Sequence, residues 1–211
     1  MSAIIVPTNQ ISSQWRAFGK FMRLEVGNAF KKEPDEKLEE MRALNPDCRL
    51  ERNANGDIIV RPPVYTETGG RNFTLAGELF VWAKIDGTGQ GFDSSTGFTL
   101  PNGAIRSPDV AWVSLTRLNA LPPEKRQRFA RIAPDFVVEL RSFSDSLKDL
   151  QDKMREYIAN GVRLGWLIDT KRKRAYIYRP GRAVEALTNP ATLSGEGILP
   201  DFVLNMHEIW G

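Results

Sequence analysis

The chain has 211 residues, enough to bury the core of one domain and short for two. Hydrophobic residues make up 41% and charged residues 26%, a globular balance, and 29 basic against 26 acidic residues leave only +3, which permits polyanion binding without arguing for it. A single cysteine, Cys48, excludes an internal disulfide or thiolate cluster, and a single histidine, His207, excludes multi-histidine zinc sites and disfavours histidine-based triads. No apolar run approaches the roughly 20 residues of a membrane span. The start, Met1 to Pro7, lacks the basic region of a signal peptide, so a cytoplasmic protein with no membrane segment is expected. Chemistry must then rest on carboxylates, lysines, arginines and hydroxyls.

Residues 1–32 mix aromatic and basic side chains without a clean period and read as an N-terminal extension, with 33–211 as a single domain. Pro34 opens a short helix carrying Leu38, Met41 and Leu44, which stops before Asn45-Pro46. Two strands at 49–52 and 57–61 flank Asn53-Ala54-Asn55-Gly56, a hairpin signal. Gly69-Gly70 predicts a break, followed by an apolar core helix over 72–84. Strands are expected around Phe92, at 98–101 and at 109–114, with Gly87 to Gly91 as a turn. The stretch 117–129 is polar and reads as helix and loop.

The segment 135–141 is a strand with Phe136, Val138 and Leu140 on one face; alternation puts Val137, Glu139 and Arg141 on the other. The clearest helix spans 144–160, with Ser146 and Asp149 as its cap, Gly161 as its stop, and Leu147, Leu150, Met154, Tyr157 and Ile158 as its apolar stripe. A hairpin at 164–168 and 175–178 encloses Lys171-Arg172-Lys173-Arg174. These elements predict one α/β domain with a mixed sheet.

An acid inside an apolar strand needs a partner. Glu139 has Arg141 available two residues on, and a structural ion pair or a solvated face is the simpler reading. The sharper one has Glu139 and Asp109, which starts a strand after Pro108, coordinate a divalent cation. Lys153 falls beside the apolar stripe of its helix, where lysines often snorkel, yet the helix follows the Glu139 strand directly and can bring the ammonium over the carboxylates.

Ser107-Pro108-Asp109-Val110-Ala111-Trp112-Val113, Asp135-Phe136-Val137-Val138-Glu139-Leu140-Arg141-Ser142 and Lys153-Met154-Arg155-Glu156-Tyr157 together resemble the Uma-two family. So do Gly161 to Asp169, Gly197 to Phe202 and, upstream, Leu50 to Gly56 with Pro62-Pro63, so the resemblance covers roughly 35–210. The family is classed with restriction endonucleases of the PD-(D/E)xK nuclease-like superfamily. The resemblance implies a restriction endonuclease-like fold, a central mixed sheet flanked by helices, and a magnesium-dependent endonuclease acting on DNA, with manganese as a substitute metal. Carried over by position, the acids are Glu51, Asp109 and Glu139. Arg141 stands where that pattern has lysine; it cannot serve as a general base, and Lys153 is the replacement. Asp109, Glu139 and the Leu140 carbonyl would hold the metal, Glu51 its water, and Lys153 or Arg141 the nucleophile and developing charge. Three carboxylates against Arg141 and Lys153 leave a formal −1, which one magnesium ion turns to +1.

The resemblance also suggests a homodimer, with residues 1–32 as a contact. The 171–174 basic run reads as a solvated turn before a DNA contact, and Arg71 and Asn72 as helix-opening surface residues before cleft residues. Trp82, Trp112 and Trp166 read as core, His207 as a surface residue. Two alternatives stand beside the enzyme: a nuclease-fold module that binds nucleic acid without cutting it, and a structural protein whose acids are merely solvated.

Overall fold

The computed structural model describes residues 34–46, 48–61, 63–143 and 145–211, and the backbone of three short upstream strands, β1 (Ile4–Val6), β2 (Gln14–Trp15) and β3 (Leu24–Glu25). The rest of the segment expected as an extension lies outside the described residues. Helix α1 (Pro34–Leu44) buries Leu38 and Met41, whereas Leu44, expected on the same face, is exposed at its end. Strands β4 (Arg49–Arg52) and β5 (Ile58–Arg61) form the expected hairpin. Its turn closes because Asn53 Oδ1 accepts from the amides of Asn55 and Asp57, and Gly56 takes φ of 89°, where a side chain is disfavoured.

Helix α2 (Thr66–Asp86) corrects one expectation, because it runs straight through Gly69-Gly70. Gly69 N donates to Tyr65 O, closing the first turn, and Arg71 fixes the end by pairing with Glu67 and donating to Ile209 O. Strand β6 (Gly89–Asp93) corrects another, since part of the glycine stretch read as a turn is strand. Glycine is required at 89 because a Cβ there would stand 2.1 Å from the Trp112 indole. Then come β7 (Phe98–Thr99), β8 (Ile105–Arg106), β9 (Val110–Ser114), the short helices α3 (Leu115–Asn119) and α4 (Pro123–Arg126), and β10 (Phe136–Leu140). Helix α5 (Leu147–Ala159) has Ser146 as its cap, accepting from Asp149 N. Strands β11 (Leu164–Asp169) and β12 (Arg174–Tyr178) enclose an exposed basic turn. Strands β13 (Glu185–Thr188), β14 (Thr192–Ser194) and β15 (Val203–Asn205) and helix α6 (His207–Trp210) complete the chain.

Two sheets organise these elements. A six-stranded sheet has the order β13-β12-β11-β10-β9-β6, and its only parallel pair is β10 with β11, joined by α5 as a crossover. A five-stranded sheet has the order β1-β5-β4-β8-β7. On the larger sheet, Phe136, Val138 and Leu140 pack with α2 and the α6 region, while Val137 packs with Leu150, Met154 and Tyr157 of α5. Strand β10 is therefore buried on both faces, and alternation sends Glu139 toward α5. Trp166 stands edge-on to Phe136 and stacks on Phe202, each such pair adding about 0.5–1.5 kcal/mol beyond area burial. Among the described residues no helix is long and apolar enough to cross a membrane.

The Gly89 contact is testable. Gly89→Ala must displace a buried indole, so unfolding by urea should show a loss of about 1–3 kcal/mol. A variant as stable as the parent would mean that Trp112 has room to move.

Candidate active site

The site forms where the two sheets meet. The chain leaves β8 of the smaller sheet at Arg106, passes through Ser107-Pro108-Asp109, and enters β9 of the larger one. The antiparallel register pairs Val138 with Val110; continued by one residue, it sets Asp109 across from Glu139. Opposed side chains of an antiparallel pair share a face, which explains why these two carboxylates lie together. Asp109 Oδ2 also accepts from Leu140 N at 2.8 Å, locking the strand ends.

Glu51 arrives from β4 and Lys153 from the buried side of α5. Glu51 is 0%, Glu139 1% and Lys153 4% exposed. The Lys153 ammonium stands 2.8 Å from Glu51 Oε1 and 2.7 Å from Glu139 Oε1, bridging the two. Tyr157, one turn further along α5, donates its hydroxyl to Glu139 Oε1 at 3.0 Å. Burial, together with Glu139 and Glu51, raises the Tyr157 phenol well above its ordinary value, which keeps it a donor.

Three arginines complete the group, and the sequence reading missed all of them. Arg106 lies 3.3 Å from Glu51 Oε2 and 2.6 Å from Glu156 Oε2. Arg61 lies 3.5 Å from Glu51 Oε1 and 3.7 Å from Asp145, and Arg49 lies 3.2 Å from Asp109 Oδ1. The Ser107 amide adds a hydrogen bond to Glu51 Oε1. Two of the three were legible: Arg49 and Glu51 alternate on one strand, and the hairpin turn fixes Arg49 opposite Arg61.

The two buried glutamates are held differently. Burial alone would raise Glu51, but Lys153, Arg61, Arg106 and Arg49 keep it well below the ordinary carboxylate range. Glu139 is raised by burial and by its neighbours Asp109 and Glu51, against the pull of Lys153. Desolvation thus dominates at Glu139 and cations dominate at Glu51.

Arg141 is elsewhere. Strand β10 ends at Leu140, and the Arg141 guanidinium donates to Asp169 at 2.8 Å and to the Asp145 carbonyl at 3.1 Å. The expected pairing of Glu139 with Arg141 does not form; Glu139 has Lys153 and Tyr157 instead. Leu140 meets the acids through its amide, to Asp109. The charge count changes its members and keeps its value. Glu51, Asp109, Glu139, Glu156 and Asp145 face Lys153, Arg49, Arg61 and Arg106, five charges against four, a formal −1.

Among the described residues no three histidine, cysteine or carboxylate side chains converge as a metal cage. Asp109 and Glu139, as neighbouring hard-oxygen donors, nevertheless fit a magnesium ion, which takes few carboxylates and retains waters. Asp109 uses one lone pair of each oxygen for Arg49 and Leu140, and a carboxylate offers about four such positions.

A six-stranded mixed sheet flanked by helices, with acids at the ends of two neighbouring inner strands and a lysine from the crossover helix, defines an α/β fold with its site at the strand ends. The chain belongs to the Uma2 family, whose model, described as "Putative restriction endonuclease", matches residues 35–207. No curated protein matches the chain. The crystal structure of a "putative nuclease belonging to DUF820 from Anabaena variabilis ATCC 29413" is similar with a TM-score of 0.65 and 20% identity, over 76% of this chain and 89% of that one. That likeness is one of fold, and it agrees with the restriction endonuclease-like class expected from the sequence.

Removing the shared ammonium leaves two buried carboxylates without their main partner. Lys153→Met should lose about 3–5 kcal/mol in urea unfolding, and adding Glu51→Gln should restore part of that loss. Strictly additive effects would mean that the bridge carries no coupling.

Proposed function

We propose that the chain is a divalent-metal-dependent endonuclease that hydrolyses phosphodiester bonds of DNA, built on the PD-(D/E)xK pattern with Lys153 in place of the strand lysine. One observation carries the reading: Lys153 is held between Glu51 and Glu139, with Asp109 beside them, in a site walled by arginines. Membership of a family described as restriction endonucleases and a nuclease-like fold support it.

In this reading Asp109 and Glu139 hold magnesium, or manganese in its place. When bound, the cation polarises the phosphate and makes a water acidic enough to attack at neutral pH. Glu51, kept ionised by its cations, orients the attacking water. The water's oxygen bonds to phosphorus as the bond to the leaving oxygen breaks, the water giving up its proton to solvent and the leaving oxygen taking one from solvent. Lys153 fixes the two glutamates and offers positive charge to the phosphorane, while Arg49 and Arg61 face its non-bridging oxygens. Arg141 acts at one remove, tying the end of β10 to β11 through Asp169.

A second reading also has an observation behind it. Asp109, Glu51 and Glu139 each already face a protein cation, so a module that binds nucleic acid without cutting it needs no metal to neutralise them. Metal linkage separates the two, since an ion bound only by the native state raises the melting temperature.

Helix α2 offers a surface for the homodimer. Phe73, Phe80, Val81 and Ile85 are 82%, 63%, 57% and 83% exposed, on the helix face turned from buried Leu75, Leu79 and Ala83. Side chains this exposed leave apolar area on the order of 500 Å², at the upper end for a monomer and approaching one side of a stable interface.

Purified protein with supercoiled plasmid should nick it in magnesium or manganese and not in EDTA, and Asp109→Ala should lose the activity while melting within a few degrees of the parent. Cleavage unchanged in that variant would remove Asp109 from the site; no cleavage together with no metal-induced melting shift would favour the binding module. Light scattering should report a dimer that the double variant Phe80→Glu, Ile85→Glu converts to monomer. A monomeric parent would end the dimer proposal.

A further inference from the structure

Beside the acids lies a cavity of about 460 Å³ lined by Arg42, Arg49, Arg61, Asn72, Ser94 and Ser95 among others, with no carboxylate in its wall. The cavity draws on α1, β4, β5, α2 and the loop after β6, so its arginines come from separate elements. It adjoins the catalytic acids directly, because Arg49 also touches Asp109 and Arg61 also touches Glu51.

Arg49 donates to Asp109 at 3.2 Å, and beyond that pair these guanidiniums make only long contacts. Arg42 reaches Ser95 O at 3.4 Å, Arg49 reaches Ser94 O at 3.5 Å, and Arg61 reaches Asp145 at 3.7 Å, at or beyond the edge of good N–H···O distances. Arg61 Nε is buried and makes no hydrogen bond, standing 3.5 Å from Glu51 Oε1. Each guanidinium carries five donors in a planar fork that matches phosphate oxygens. Arg42 is held in place by its stacking on the Phe129 ring, 4.5 Å from guanidinium carbon to centroid, so its fork is oriented before any ligand arrives.

We infer that this cavity is a phosphate-binding subsite for consecutive phosphodiesters of a nucleic-acid strand, with Arg49 and Arg61 on the phosphate next to the acids and Arg42 on its neighbour. The inference rests on the nuclease reading for the identity of the acids and extends it to how the strand is seated. Three positive forks in one wall exceed what a single carboxylate ligand would use. Their spread from the acids to the α1 rim suits a chain of anions. Among the sequence features, the 171–174 basic run lies in another turn and is not part of this wall.

The test uses a short fluorescent DNA duplex in EDTA, with anisotropy read across a salt series. Arg42→Gln should weaken binding about tenfold and reduce the slope of log K against log salt by roughly one, and Arg42→Lys should restore the slope more than the affinity. Arg182→Gln, an exposed change outside the cavity wall, should do neither. Inorganic phosphate, titrated in parallel, should compete only weakly and less against Arg42→Gln. If the duplex is indifferent to Arg42, or if phosphate alone binds as tightly as the duplex, the strand subsite is overturned. Failure of the nuclease reading is distinguishable: duplex binding would still depend on Arg42 while plasmid nicking stayed absent in every metal.

Discussion

The ammonium of Lys153, shared between Glu51 and Glu139, ties together two sheets and a helix. Glu51 belongs to the five-stranded sheet, Glu139 to the six-stranded sheet, and Lys153 to the helix that crosses between β10 and β11. All three are almost fully buried, so their charges are tolerable only together. The meeting of the two sheets and the assembly of the site are therefore one requirement, satisfied by one set of contacts. Arg106 and Ser107, on the segment linking the sheets, reinforce it by binding Glu51 as well.

The same bridge leaves the carboxylates in different environments. Glu51, among four cations, stays charged; Glu139, beside Asp109 and a phenol donor, has its charge opposed by burial and by like charge. The proposed nuclease function rests on this division: in it Asp109 and Glu139 would take the added positive charge of a metal ion, and the neighbouring arginines the negative charge of a phosphodiester.

Much of the fold was legible along the chain. Local rules placed the β4–β5 hairpin through its Asn53 to Gly56 turn, the α5 cap at Ser146, and the alternation that sends Glu139 away from Phe136, Val138 and Leu140. They failed where distant partners override propensity. Gly69-Gly70 reads as a break, yet the contact of Arg71 with Ile209, 138 residues away, secures the helix end across it. Gly89 reads as a turn residue, yet it is strand because the Trp112 indole occupies the space a side chain would take. The strands β13 to β15 are short, and little in their own pattern marks them.

By itself the sequence determined most kinds of element and the candidate acids Asp109 and Glu139, because hydrophobic periodicity, turn residues and an acid within an apolar strand are local signals; Glu51 followed only from the family resemblance. It could not determine which cation serves which acid. Arg141, two residues from Glu139, is drawn to Asp169, while Lys153 reaches Glu51 across 102 positions and Arg106 reaches it across 55. Charge pairing in a buried site depends on distance in space and on shared desolvation, and only the tertiary structure decides which side chains are driven out of water together.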